Sequence, residues 1–99
     1  MLSLPKINEV VSRVASAALK PAARVLRVES EPTADSHGQD ALHITIVLEQ
    51  GGADKIGGDQ ALDTIVEIVK SLRRAKEDRF SLVDFVGEEE LEPSGDTES

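Results

Sequence analysis

The spacing of apolar residues switches repeatedly between the period of a helix and the period of a strand, and this pattern constrains the fold more than any other feature. From residue 4 to residue 19 apolar residues recur at intervals of three and four, as in an amphipathic helix. Over 24–31 and 41–49 the interval is two, which is typical of half-buried strands. The helical period returns over 60–76, and a short apolar run follows at 80–86. This order predicts an α+β domain, α-β-β-α-β, with a small mixed sheet of about three strands and helices packed on it.

The first helix has clear boundary signals. Ser3 is a candidate N-cap, Pro5 lies in the first turn where its missing N–H costs nothing, and Pro21 ends the helix. The residues that form its apolar stripe are Leu4, Ile7, Val10, Val11, Val14 and Ala18. The same segment resembles a targeting peptide, because residues 1–24 contain four basic residues and one acid. A core helix and a cleaved organellar presequence therefore remain as alternatives.

Alternation predicts which strand residues face the core. In the first strand Leu26 and Val28 point inward. In the second, the inward set is Leu42, Ile44, Ile46 and Leu48, and the outward set is His43, Thr45, Val47 and Glu49. Residues 32–40 between the two strands are rich in turn formers, so we expect an antiparallel hairpin with a long loop.

The second half of the chain predicts a helix followed by a last strand. A flexible link, 51–58, precedes Asp59, which has the chemistry of an N-cap. The apolar face of this helix is wide enough to cover a sheet, and it consists of Ala61, Leu62, Ile65, Val66, Ile68, Val69, Leu72 and Ala75. The run 80–86 contains both aromatic residues, so this strand is expected to complete the core and to end at Gly87. If the last two strands are parallel, the helix forms their right-handed crossover.

Charge is distributed unevenly along the 99 residues. The net charge of −8 results from 11 Lys and Arg against 19 Asp and Glu, and seven of the acids lie between Asp84 and Ser99, where Lys and Arg are absent. The rest of the chain is therefore nearly neutral. From Gly87 onward Leu91 is the one sizeable apolar side chain, which is too little burial to offset the entropy of ordering. We predict one domain, 1–86, and a disordered acidic tail, 87–99.

Composition and motifs exclude several functional classes. The chain has no Cys, so it contains neither a disulfide framework nor a thiol nucleophile, and no apolar run approaches the roughly 20 residues of a membrane span. We therefore expect a cytoplasmic protein without membrane or cofactor. A G-x-S-x-G elbow is absent, and the glycine-rich link lacks the G-K-[ST] ending of a phosphate-binding loop. The near-neutral body and acidic tail also disfavour nucleic-acid binding.

Two groups of residues are candidates for a functional site. Asp35, His37, Asp40 and His43 have side chains that could ligate a divalent metal or supply an acid and a base. The alternative, which we favour, is that Asp35, Ser36 and Gly38 shape the turn, that His37 is exposed and that no metal is bound. The second group is expected to mediate interactions with a protein partner or a second copy, through the outward side of the sheet and a basic helix end. It consists of Val25, Thr45, Val47, Lys70, Arg73 and Arg74.

The hairpin segment Asp35-Ser36-His37-Gly38-Gln39-Asp40-Ala41-Leu42 resembles small uncharacterised bacterial α/β chains that carry a D-S-x-G-x-[DE]-A-L hairpin. Some of these are encoded beside genes of the toxin–antitoxin type. The resemblance implies a small accessory or neutralising subunit and assigns no catalytic residue. Our leading hypothesis is a non-enzymatic interaction module, such as the acidic subunit of a bacterial two-protein pair. The alternatives are a metal-binding enzyme or sensor built on residues 35–43, and an organelle-imported subunit.

Overall fold

The computed structural model describes residues 1–91, with the backbone alone for Leu91. The chain has the predicted order α-β-β-α-β, and its elements are α1 (Leu4–Leu19), β1 (Val25–Ala34), β2 (Asp40–Leu48), α2 (Gly58–Arg74) and β3 (Phe80–Gly87). Two short 3-10 helices, Gly52–Lys55 and Glu88–Leu91, follow β2 and β3. The predicted α+β class is confirmed.

The three strands form one mixed sheet in the order β1-β2-β3. β1 and β2 pair antiparallel as a hairpin, and β2 and β3 pair parallel. Parallel neighbours cannot be joined by a tight turn, so α2 forms the crossover between them. β2 is thus the central strand, and β1 and β3 are the two edges.

Both helices supply the core on one side of the sheet, which we call the inner face. Of the predicted stripe of α1, Ile7, Val10 and Val11 are buried, and Leu4, Val14 and Ala18 are half-buried. Ala15 and Leu19, which the stripe did not include, are fully buried, so this helix supplies part of the core. α1 packs against both α2 and β1. The predicted inward set of β2, which is Leu42, Ile44, Ile46 and Leu48, is fully buried in the same cluster. Alternation along β2 therefore predicted the core correctly.

The start of β1 differs from the sequence prediction. The register shifts between Val25 and Arg27, where a bulge interrupts the pairing with β2. The bulge leaves Leu26 37% exposed instead of inward. Val25 packs against the core, contrary to its predicted outward position, and Val28 is buried as expected.

The hairpin loop is shorter than predicted, because β1 continues to Ala34 and β2 begins at Asp40. Oδ1 of Asp35 accepts hydrogen bonds from the backbone N–H groups of His37, at 2.8 Å, and Gln39, at 2.9 Å. Gly38 adopts a φ of 79°, which a residue with a Cβ rarely adopts. Asp35 and Gly38 therefore build a tight turn.

The boundaries of α1 agree with the predicted signals, but those of α2 do not. Oγ of Ser3 accepts a hydrogen bond from the N–H of Lys6, as expected of an N-cap. α2 begins at Gly58 with Gly57 at the N-cap, so Asp59 lies in the first turn instead of capping it.

Of the two aromatic residues in β3, Phe85 packs against the core and Phe80 is 60% exposed. β3 therefore contributes Val83 and Phe85 to the core, which resolves the inward side that the sequence left ambiguous.

The segment that follows β3 is ordered further than the sequence predicts. Gly87 belongs to β3, and Glu88–Leu91 forms a 3-10 helix. The two carboxylate oxygens of Glu89 accept hydrogen bonds from the backbone N–H of Gly51, at 3.3 Å and 3.4 Å. The remainder of the predicted tail, 92–99, lies outside the described residues. Within residues 1–91, no helix combines the length and hydropathy that crossing a bilayer requires.

Candidate functional site

The side of the sheet opposite the two helices, which we call the outer face, is the main candidate. Side chains of residues that are paired across the three strands point to the same side of the sheet. The outer face consists of Arg27, Glu29, Glu31 and Thr33 of β1, Ala41, His43, Thr45 and Val47 of β2, and Phe80, Leu82, Asp84 and Val86 of β3. Glu29, Glu31, Leu82 and Asp84 are exposed. The face therefore presents both carboxylates and apolar groups to solvent.

His43 lies between carboxylates of the two neighbouring strands. Its Nε2 is 2.7 Å from Oδ2 of Asp84 on β3, and its Nδ1 is 3.5 Å from Oε2 of Glu31 on β1. The register explains this arrangement, because Glu31 pairs directly with His43 and Asp84 lies one step along β3 on the same face. The hydrogen bond with Asp84 is the main reason that the pKa of His43 is raised above 6.5, and Glu31 raises it further while burial opposes the shift.

A shallow groove of about 240 Å³ lies beside His43, between β1 and β2. It is lined by Glu29, Ser30, Glu31, His43 and Thr45. Nε of Arg27 lies 2.8 Å from Oε2 of Glu29, so one of the three carboxylates of the face is paired with a guanidinium. The Glu31–His43–Asp84 group and this groove make the middle of the outer face acidic while His43 is neutral.

The structure does not bring the predicted metal ligands together. The carboxylate of Asp35 is engaged by the hairpin turn, and Nδ1 of exposed His37 lies 3.5 Å from Oγ of Ser36. His43 associates with Glu31 and Asp84 instead of the loop. Among the described residues, no group of three or more His, Asp or Glu side chains has the arrangement of a metal site.

The structure places the predicted interaction residues in different environments. Val47 is fully buried within the outer face and offers no contact area to a partner, whereas Val25 is half-buried and packs against the core on the inner face. Thr45 is half-buried on the outer face as predicted. Lys70, Arg73 and Arg74 are exposed along the C-terminal half of α2.

Sequence reasoning missed four of the exposed apolar side chains. Of the six large apolar side chains that are exposed within residues 1–90, four lie on α2 and β3: Leu62, Val66, Phe80 and Leu82, at 62%, 48%, 60% and 42%. The sequence contained a signal for the first two, because the apolar face of α2 is broader than one packing surface requires. The other two follow β-alternation in a strand whose inward side was ambiguous.

A second cluster, around Glu77, joins the N-terminus to the α2–β3 connection by hydrogen bonds. Glu77 is 1% exposed, and its carboxylate accepts hydrogen bonds from Nε of Arg79 at 2.8 Å, from Nη2 of Arg79 at 3.0 Å and from the backbone N–H of Leu2 at 2.7 Å. Nη2 of Arg79 also donates to the carbonyl of Leu2 at 3.0 Å. These bonds, led by those from Arg79, lower the pKa of Glu77 from 4.5 to about 2 against the effect of burial. The buried carboxylate is fully engaged, so its role is structural.

Comparison with known proteins gives no match to any family model, to any curated protein or to any solved structure. The class that the chain defines by its own geometry is a small α+β domain with an open, acidic outer sheet face.

Proposed function

We propose that this protein is a non-enzymatic interaction module whose outer sheet face binds a basic protein, as the acidic subunit of a two-protein pair. The observation that carries the proposal is the combination of Glu29, Glu31 and Asp84 with exposed Leu82 and Phe80 on the face that both helices leave open. Apolar contact area supplies affinity, and the carboxylates favour a cationic partner and speed its approach.

Charge complementarity decides which partner this face takes. The outer face has three carboxylates against the guanidinium of Arg27 and, when it is protonated, the imidazolium of His43, and the whole chain has a net charge of −8. The tail residues Glu92, Asp96 and Glu98 add to the same sign. A polyanion such as nucleic acid would be repelled by this field, whereas a basic protein would be attracted to it.

The test is a capture experiment with matched charge reversals. Tagged protein is incubated in native cell extract, and Glu29→Lys combined with Glu31→Lys is compared with Glu9→Lys combined with Glu67→Lys. All four carboxylates are exposed, at 57%, 72%, 62% and 53%, and both double variants change the net charge equally. Circular dichroism verifies that each variant folds.

We expect wild type and the Glu9→Lys, Glu67→Lys variant, which changes the two helices, to retain the same basic protein, identified by mass spectrometry. The Glu29→Lys, Glu31→Lys variant, which we call the outer-face variant, should lose it. Calorimetry with the two purified proteins should then give a stoichiometric complex whose Kd rises at least ~10-fold in the outer-face variant. Equal retention by both variants, or no basic protein retained by wild type, would refute the proposal.

A further inference from the structure

β3 is an edge strand without the features that normally prevent edge pairing. The opposite edge, β1, contains Pro32, the bulge at Val25–Arg27 and several charged residues. β3 pairs with β2 over Phe80–Gly87 without a register shift, and it contains no Pro, Lys or Arg. Its single charged residue, Asp84, is engaged by His43. The N–H of Gly87 donates to Oε2 of Glu90 at 3.3 Å, so the part of the edge that is competent to pair with another strand is the one before Gly87.

An apolar stripe of α2 lies next to this free edge. The residues that α2 buries are Thr64, Ile68 and Leu72, and the side of α2 toward α1 carries Glu67, Ser71 and Arg74, which line a groove with Arg13 and Val14. The stripe Leu62, Ile65, Val66 and Val69 lies on the other side of the helix, away from α1. Val69 lines a cavity together with Phe80 and Ser81, so the stripe and β3 are neighbours.

We propose that β3 and the α2 stripe form a two-fold interface with a second copy of this chain. In it the two β3 strands pair antiparallel, which joins the sheets into one of six strands, and the two α2 helices pack antiparallel along their apolar stripes. This interface uses the backbone edge of β3 and the stripe of α2, whereas the proposed partner contacts the side chains of the outer face, so the inference goes beyond the proposed function.

The charge order along α2 identifies the occupant as a second copy. On the exposed side of α2 that borders the stripe, the first half has Asp59 and Asp63, and the second half has Lys70 and Arg73. Antiparallel packing about Val66 places Asp59 level with Arg73 of the other copy, and it does so twice by symmetry. A parallel arrangement would oppose like charges.

The surroundings of the two ends of β3 also differ in charge, and this difference favours the same antiparallel arrangement. Glu88, Glu89 and Glu90 follow the C-terminal end of β3, while the N-terminal end lies beside Arg73, in the cavity that Phe80 and Ser81 line. Antiparallel pairing of two β3 strands places the acidic end of one copy beside the basic end of α2 in the other. Backbone pairing, apolar contact and charge therefore agree on one arrangement.

The first test measures the mass of the purified chain by sedimentation velocity over 1–200 µM. We expect wild type to sediment at twice 10.6 kDa, and Leu62→Asp and Val66→Asp each to raise the dimer Kd by about 30-fold, as for a central apolar contact. Leu26→Asp is the matched control, because Leu26 is an exposed apolar residue on the opposite edge, and it should leave the dimer intact. A wild type of 10.6 kDa throughout, or a dimer that Val66→Asp does not weaken, would overturn the inference.

The second test examines the antiparallel arrangement through charge reversal. Asp59→Arg and Arg73→Asp should each raise the dimer Kd by about 5-fold, and the double variant should return it toward the wild-type value. Additive losses in the double variant would overturn the antiparallel arrangement. Failure of the proposed function is separable, because Glu29→Lys with Glu31→Lys should abolish capture of the basic protein while leaving the dimer mass unchanged.

Discussion

Glu77 illustrates how one residue in a charged stretch becomes part of the buried structure. In the sequence it stands in the run Lys76-Glu77-Asp78-Arg79, which looks like solvated surface. In the structure its carboxylate accepts hydrogen bonds from Arg79 and from the backbone of Leu2, on a segment 75 residues away. Removing one member of a buried ion pair is costly because the other charge remains buried without its partner.

We therefore expect Glu77→Ala to lower the free energy of unfolding by about 3 kcal/mol. Glu67→Ala is the control, since Glu67 forms an exposed 4.0 Å pair with Lys70 and its loss should cost less than ~0.5 kcal/mol. Urea denaturation followed by circular dichroism measures both. Similar losses in the two variants would show that the Glu77 network contributes no more than a surface pair.

His43 gives a second prediction at the scale of the residue, and NMR titration of its ring protons measures it. We expect a pKa above 6.5, because Asp84 and Glu31 stabilise the protonated ring. Asp84→Asn should lower this pKa the most, since the 2.7 Å hydrogen bond is the largest cause of the shift, and Glu31→Gln should lower it less. Glu9→Gln, on α1, should leave it unchanged. The reverse order of the first two variants would contradict the geometry.

At the scale of the element, the C-terminal end of α2 contains a strained residue. The N–H of Glu77 donates to the carbonyl of Leu72, and the N–H of Lys76 donates to that of Arg73, which is the bonding of a Schellman motif. This motif requires a left-handed residue, and Lys76 fills the position with a φ of 74°. Glycine is usual there because a Cβ is disfavoured in that conformation.

Lys76→Gly should therefore stabilise the protein by up to about 1 kcal/mol. The same change at Lys70, inside α2, should destabilise it by about 1 kcal/mol, because glycine loses more backbone entropy in a helix. The midpoint of urea denaturation should rise in the first variant and fall in the second. A fall in both would mean that the left-handed backbone at residue 76 costs nothing.

At the scale of the whole molecule, the two shifted groups determine how stability depends on pH. The pKa of Glu77 is lowered to about 2, so its contribution is complete above about pH 4.5 and is lost as the pH falls toward 2. The pKa of His43 is raised above 6.5, so its contribution is complete below pH 6.5 and is lost as the pH rises through the pKa of the folded state.

Both contributions are present together between about pH 4.5 and 6.5, and we expect the free energy of unfolding to be greatest there. Urea denaturation at a series of pH values measures the profile. Glu77→Gln should flatten its acidic side, and His43→Gln should flatten its alkaline side. A wild-type profile that still rises above pH 8 would contradict the role of His43.

The sequence by itself determined the order of elements, the cap at Ser3 and the buried set of β2, because these depend on period and on local turn chemistry. The other features depend on which residues the tertiary structure brings into contact. The bulge that turns Leu26 outward, the Glu31–His43–Asp84 group and the Glu77–Arg79–Leu2 network all join segments distant in sequence, or depend on how two strands align. The exposure of Leu62 and Val66 was likewise set by tertiary structure, because hydrophobic period shows which side of a helix is apolar but not how much of that side its neighbours cover.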